Sequence, residues 1–116
     1  MNEKLKKAFV LDRKIVLYIP ATSGPAEAAD NSKQVNRAAA FLSEAFGGST
    51  IHPGRGCWMS IEAGLVTEET TLVYAFTDAA GLEAEVDNVV DFMEALKIEM
   101  RQEAVSLEID GVLYIF

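Results

Sequence analysis

The chain is poor in the residues that most chemistry needs. Among 116 residues there is one His, one Cys, one Trp and three Pro. A single cysteine, Cys57, cannot close an intramolecular disulfide, so nothing here calls for an oxidising compartment. One His and one Cys five residues apart fall short of any structural zinc pattern, so neither a metal nor another cofactor is expected. Positive charge is also scarce: ten Lys and Arg stand against eighteen Asp and Glu, for a formal net charge of −8. A surface of that sign repels phosphate backbones and disfavours sequence-independent binding of nucleic acid. Long apolar runs are missing as well. Lys4, Lys6 and Lys7 precede Ala8-Phe9-Val10-Leu11, but Asp12, Arg13 and Lys14 break the run, as no signal-peptide core does. No segment has the length of a membrane span, and the expected location is the cytoplasm.

What is present is the composition of an ordinary globular domain, half hydrophobic and about a quarter charged, long enough to build one core. Residues 1–13 read as an N-terminal extension, either a short amphipathic helix or a fraying end, and residues 14–116 as a single domain. Ile15-Val16-Leu17-Tyr18-Ile19, stopped by Pro20, reads as a buried strand, and residues 21–29 as a loop. Asp30-Asn31-Ser32 offers N-caps, with Gln34 three residues after Asn31 as in a capping box. Val35, Ala38, Ala39, Leu42, Ala45 and Phe46 then share one helical face before Gly47 and Gly48.

A glycine-rich loop leads to a strand at residues 57–60, a turn occupies 62–69, and a strand runs from Thr70 to Phe76. Thr77 or Asp78 caps a second helix with a stripe from Leu82 to Met100. Asp110-Gly111 between two apolar runs predicts a hairpin, with Val112 to Phe116 returning. This order implies an α+β fold: a ferredoxin-like β-α-β-β-α-β antiparallel sheet, two helices on one face, and an added strand from the C-terminal hairpin.

Three strands are apolar on both faces, through Val16 and Tyr18, Val73 and Ala75, and Leu113 and Ile115 as well as their alternates. An antiparallel sheet covered on one side normally alternates with polar residues. The surplus implies an interface, hence a homodimer through the open sheet face or the C-terminal strand.

Candidate chemistry gathers between Phe46 and Ser60, which holds His52, Cys57, Trp58 and four of the eight glycines. His52 has no neighbouring partner to fix its tautomer for catalysis. Arg55, between Gly54 and Gly56, could fork onto a carboxylate or phosphate, and Trp58 could stack on an aromatic ligand. No Walker or dinucleotide motif accompanies them. Cys57 reads as a small strand hydrophobe.

The Gly56-Cys57-Trp58 element, a strand led by Glu68-Glu69, and Gln102-Glu103-Ala104-Val105 after the second helix resemble an uncharacterised family of small bacterial ferredoxin-like domains. The likeness spans roughly residues 14–107, with Ala104 where that family has Ser. It implies the same fold and a bacterial or phage origin, and it carries no activity over. The functional expectation is a non-enzymatic dimerising module that binds a protein or a small ligand. The alternative is a cofactor-free small-molecule enzyme of the dimeric α+β barrel type, with a pocket lined by Tyr18, His52, Arg55 and Trp58. A third reading is an acidic mimic of nucleic acid.

Overall fold

The computed structural model describes residues 2–24 and 27–116. It contains two helices and a five-stranded antiparallel sheet. Strand β1 (Arg13–Pro20) is followed by two short strands, β2 (Thr22–Ser23) and β3 (Glu27–Ala28), which pair with each other. Helix α1 (Ser32–Phe46), the long strands β4 (Thr50–Ser60) and β5 (Gly64–Thr77), helix α2 (Ala79–Glu99), and β6 (Ser106–Ile109) with β7 (Val112–Ile115) complete the chain. The main sheet runs β4-β5-β1-β6-β7.

Strand alternation decides which residues meet the helices. Ile15, Leu17 and Ile19 of β1, Val73 and Ala75 of β5 and Leu107 of β6 are buried with Val35, Ala38 and Leu42 of α1 and Leu82, Val89, Met93 and Leu96 of α2. Each fully buried Leu or Ile there contributes roughly 1.5–3 kcal/mol by leaving water. The opposite face carries Lys14, Val16 and Tyr18 on β1 with their cross-strand partners Phe76, Tyr74 and Leu72. The Lys14 ammonium lies 4.5 Å from the Tyr74 ring centre, covering part of this face by cation–π attraction.

Several local expectations need correction. The stretch from His52 to Gly56 is not a loop: all of 50–60 is strand, paired without interruption to 64–74. Pro53 fits because β4 is an edge strand, where a missing N–H breaks no ladder bond. The turn expected over 62–69 shrinks to residues 61–63, because backbone pairing with β4 outweighs the weak strand propensity of Glu68 and Glu69. Residues 21–29, read as a plain loop, contain the β2–β3 hairpin.

Asn31 does not cap α1 with its side chain; its amide donates to the carbonyls of Ile19 and Pro20, while Asp30 accepts from the Ser32 amide at 2.9 Å. Gln34 donates to Glu99 instead of closing a capping box. Residues 2–12 form one 3₁₀ turn at Leu5–Lys7 and then an exposed extended segment.

Among the described residues, 64–69 pair with β4 alone, since β1 reaches β5 only from Thr70 onward. The distal β4–β5 hairpin is therefore an arm that projects past the sheet, and the molecule measures 55 × 27 × 21 Å. The arm positions the candidate site.

Candidate functional site

Directly opposed residues of neighbouring strands share a face. On β4 and β5 the pairs His52–Leu72, Gly54–Thr70, Gly56–Glu68 and Trp58–Val66 follow one another along the open face. Tyr18 continues the His52–Leu72 row on β1. Arg55 has the opposite parity and pairs with Glu69 on the other face, Nε to Oε1 at 3.7 Å. Both members of that pair are well exposed, so it stabilises little.

The four residues singled out from the sequence therefore do not meet. His52 and Trp58 share a face but lie six residues apart, about 20 Å along the strand. Tyr18 is two strands from His52, about 10 Å away. Between His52 and Trp58, Leu72 packs over Gly54, while Gly56 leaves the strand open beside Glu68.

Two cavities flank the arm. One, of about 600 Å³, lies between the arm and the β2–β3 hairpin, with Trp58 and Val66 on the arm side and Ala21, Thr22, Ala28 and Ala29 on the other. The second, of about 470 Å³, opens beside Tyr18, Gly56, Cys57, Thr70, Ser106 and Leu113. Both volumes fall in the range of small-molecule sites. Glu68 and Glu69 line both cavities, and neither His52 nor Arg55 lines either one. Trp58 is half-exposed rather than buried in the core.

Tyr18, at the second cavity, has a polar partner on β6. The Tyr18 hydroxyl donates to Glu108 Oε1 at 2.8 Å, and this bond, with partial burial and the carboxylate's charge, raises the phenol above its ordinary value. Tyr18 thus stays a neutral donor through the physiological range. Among the described residues no group of three His, Cys, Asp or Glu could hold a metal ion.

Glu68 and Glu69 are the residues that reading the sequence missed as site members. A turn over 62–69 gives neither side chain a defined face. Within a strand, adjacent side chains point to opposite faces, so the same dipeptide supplies a carboxylate to each side of the arm. Glu68 is half-buried and faces Gly56, while Glu69 is exposed and paired with Arg55.

No family model and no curated protein matches the chain, so the resemblance carried by Gly56-Cys57-Trp58 stands where the sequence left it. Solved structures do match. The chain is similar to a phage SAM lyase in complex with S-methyl-5'-thioadenosine, with a TM-score of 0.65 and 19% identity, over 90% of this chain and 88% of that one. It is equally similar to a phage SAM lyase in the apo state, with a TM-score of 0.64 and 19% identity, over 90% of this chain and 87% of that one. At this identity the likeness establishes the fold. The leading expectation of a non-enzymatic module is corrected by the same finding, since both of these matched structures are of an enzyme. Among the described residues no helix is long and apolar enough to cross a membrane.

Proposed function

We propose that this chain is a small enzyme, needing no cofactor, that cleaves S-adenosyl-L-methionine and releases S-methyl-5'-thioadenosine. The observation that carries the reading is the half-buried Glu68 at the wall between two cavities, one of them faced by Trp58, in a fold matched by a SAM lyase.

The bond involved follows from the two molecules. S-methyl-5'-thioadenosine retains the methyl and adenosyl groups of the sulfonium, so the bond that breaks joins sulfur to the amino-acid chain. The α-carboxylate of that chain attacks its γ-carbon and closes a five-membered lactone, while sulfur keeps the electron pair of the broken bond and leaves as a neutral thioether. A leaving group that good asks the protein to hold the substrate in one conformation and keep water away, rather than to supply a strong nucleophile. The substrate is a cation, and a chain of net charge −8 attracts it. Trp58 offers a ring face both to the purine and to the sulfonium. Glu68 receives the ammonium of the amino-acid chain across the space left by Gly56.

Purified protein incubated with S-adenosyl-L-methionine is expected to yield S-methyl-5'-thioadenosine, followed by reversed-phase chromatography. Glu68→Gln removes a charge-assisted hydrogen bond and lowers kcat/KM between about 10- and 100-fold. Substrate left intact after prolonged incubation with concentrated wild-type protein would refute the reading.

The strand order β4-β5-β1-β6 supports the ferredoxin-like form of the α+β fold, with β7 as the added strand. We also infer a homodimer. All four residues of β7 are exposed apolar side chains on an edge strand, with no charge or proline to blunt it. An unpaired Cys57 and the absence of a spanning helix among the described residues are compatible with a cytoplasmic site of action.

A further inference from the structure

One side chain outside both cavities is bonded to a wall of the larger one. Gln102 follows α2, and its Nε2 lies 2.8 Å from the Thr22 carbonyl oxygen and 3.0 Å from that of Met100. The Thr22 hydroxyl at 3.2 Å and the Gly24 carbonyl at 3.4 Å complete a ring of acceptors around it. Three of these four are carbonyl oxygens, which fixes the nitrogen and not the oxygen of the amide in this position. With two hydrogens, the amide ties Thr22 of β2 to the C-cap of α2, and the Gly24 N–H donates to the same Met100 carbonyl at 3.0 Å. The far end of the hairpin is closed by Ala29 N–H to the Ala21 carbonyl at 2.9 Å.

The segment held this way has little else to hold it. β2 and β3 are two residues each and pair only with one another among the described residues. A two-stranded hairpin of that size has no stability of its own in water. Yet Ala21, Thr22, Ala28 and Ala29 form the wall that faces Trp58 across the 600 Å³ cavity. The wall is built of small side chains, so the gap is set by where the backbone stands. The Gln102 amide and the Gly24 N–H both tie that segment to the end of α2.

We propose that Gln102 is a positioning residue for this cavity: its amide clamps the β2–β3 wall at the distance from Trp58 that admits a planar nucleoside base. The proposal rests on the lyase reading for the identity of the ligand, but not for the clamp itself. Nothing about Gln102 enters the bond-breaking step; it contributes equally to ground-state and transition-state binding.

The test compares wild type with Gln102→Leu, which keeps the size and loses both donors, and with Val89→Ala, a destabilising substitution in the core of α2 remote from the wall. Hydrogen exchange by NMR reads the clamp without ligand. Gly24 and Ala29 amides are expected to exchange at least about tenfold faster in Gln102→Leu, with Leu17 of β1 unchanged. Exchange of Gly24 and Ala29 at the wild-type rate overturns the proposal. With S-adenosyl-L-methionine as substrate, Gln102→Leu raises KM about tenfold and leaves kcat within about twofold, while Val89→Ala moves neither. A fall in kcat at unchanged KM also overturns it. Should Gln102→Leu fail to fold, Gln102→Asn, one methylene too short to reach both carbonyls, gives an intermediate effect in the same direction. Wild-type protein that neither binds S-methyl-5'-thioadenosine nor consumes the substrate removes the lyase reading, and the exchange of Gly24 and Ala29 still judges the clamp.

Discussion

Gly81, in the first turn of α2, shows how a single contact reverses a general rule. Replacing an exposed helical glycine with alanine ordinarily stabilises a protein by roughly 0.5–1 kcal/mol, through a less flexible unfolded chain. Here a Cβ on Gly81 would stand 2.3 Å from Thr77 Oγ1 and 3.2 Å from Asp78 Oδ1. Thr77 is buried at the end of β5, and Asp78 accepts the Gly81 amide at 2.8 Å as the N-cap of α2. Asp78 cannot move without losing that bond, and Thr77 has little room to move because it is buried. Gly81→Ala is therefore expected to destabilise the protein by about 1–3 kcal/mol, as overpacking does, measured by urea denaturation. The double variant Thr77→Ala/Gly81→Ala should recover part of the loss. Stabilisation by the single substitution would show that the turn relaxes around the methyl group.

At the level of elements, the β6–β7 hairpin is the best example of local chemistry agreeing with the tertiary fold. Asp110 and Gly111 take φ of 51° and 82°, the left-handed pair that a two-residue turn between twisted strands requires. Asp110 also reaches across to β1, accepting from the Lys14 amide at 2.8 Å and pairing with the Arg13 guanidinium. The Lys14 N–H, and then Arg13, hold the Asp110 carboxyl below the usual carboxylate range. A carboxyl depressed in the folded state adds stability that is present above its unfolded value, about 3.9, and is lost as pH falls through the lower folded value. Urea midpoints of wild type are expected to hold level from neutral pH to about pH 4 and to fall below it. Asp110→Asn keeps the left-handed turn but not the charge. It should begin less stable and lose less on acidification, so that the two curves converge once the Asp110 carboxyl is protonated in the folded protein. Parallel curves would remove Asp110 from the account of acid sensitivity.

The whole molecule is elongated, and its exposed apolar side chains include Phe9 and Val10 of the extended segment, Met59 and Ile61 at the arm tip, and those of β7. Both edges of the sheet, β4 and β7, present unpaired backbone groups, but β4 carries Pro53 and Arg55 whereas β7 has neither charge nor proline. Pairing of β7 with its copy extends one sheet across two protomers and buries an uncharged strip in an otherwise acidic protein. Light scattering coupled to size exclusion is expected to give twice the monomer mass. Leu113→Lys/Ile115→Lys, two exposed positions, should return it to monomer with the far-ultraviolet circular dichroism unchanged. A wild-type monomer at micromolar concentration would dispose of the homodimer.

By itself the sequence determined the elements whose signals are local. The periodic stripes of α1 and α2, the apolar run of β1, Gly47 closing α1 with φ of 91° and the Asp110-Gly111 turn all act through near neighbours, and each stands in the structure. Tertiary structure decided what depends on pairing over distance. Strand β4 exists because eleven residues, glycines and proline included, find partners on β5, a gain no local propensity of His52-Pro53-Gly54 foretells. That pairing sent Arg55 to the face opposite His52 and Trp58. It also turned Glu68 and Glu69 from a charged turn into the wall between two cavities. Side-chain parity in a strand is set by register, and register is a property of two segments together, which is why the candidate site became legible only once the chain was folded.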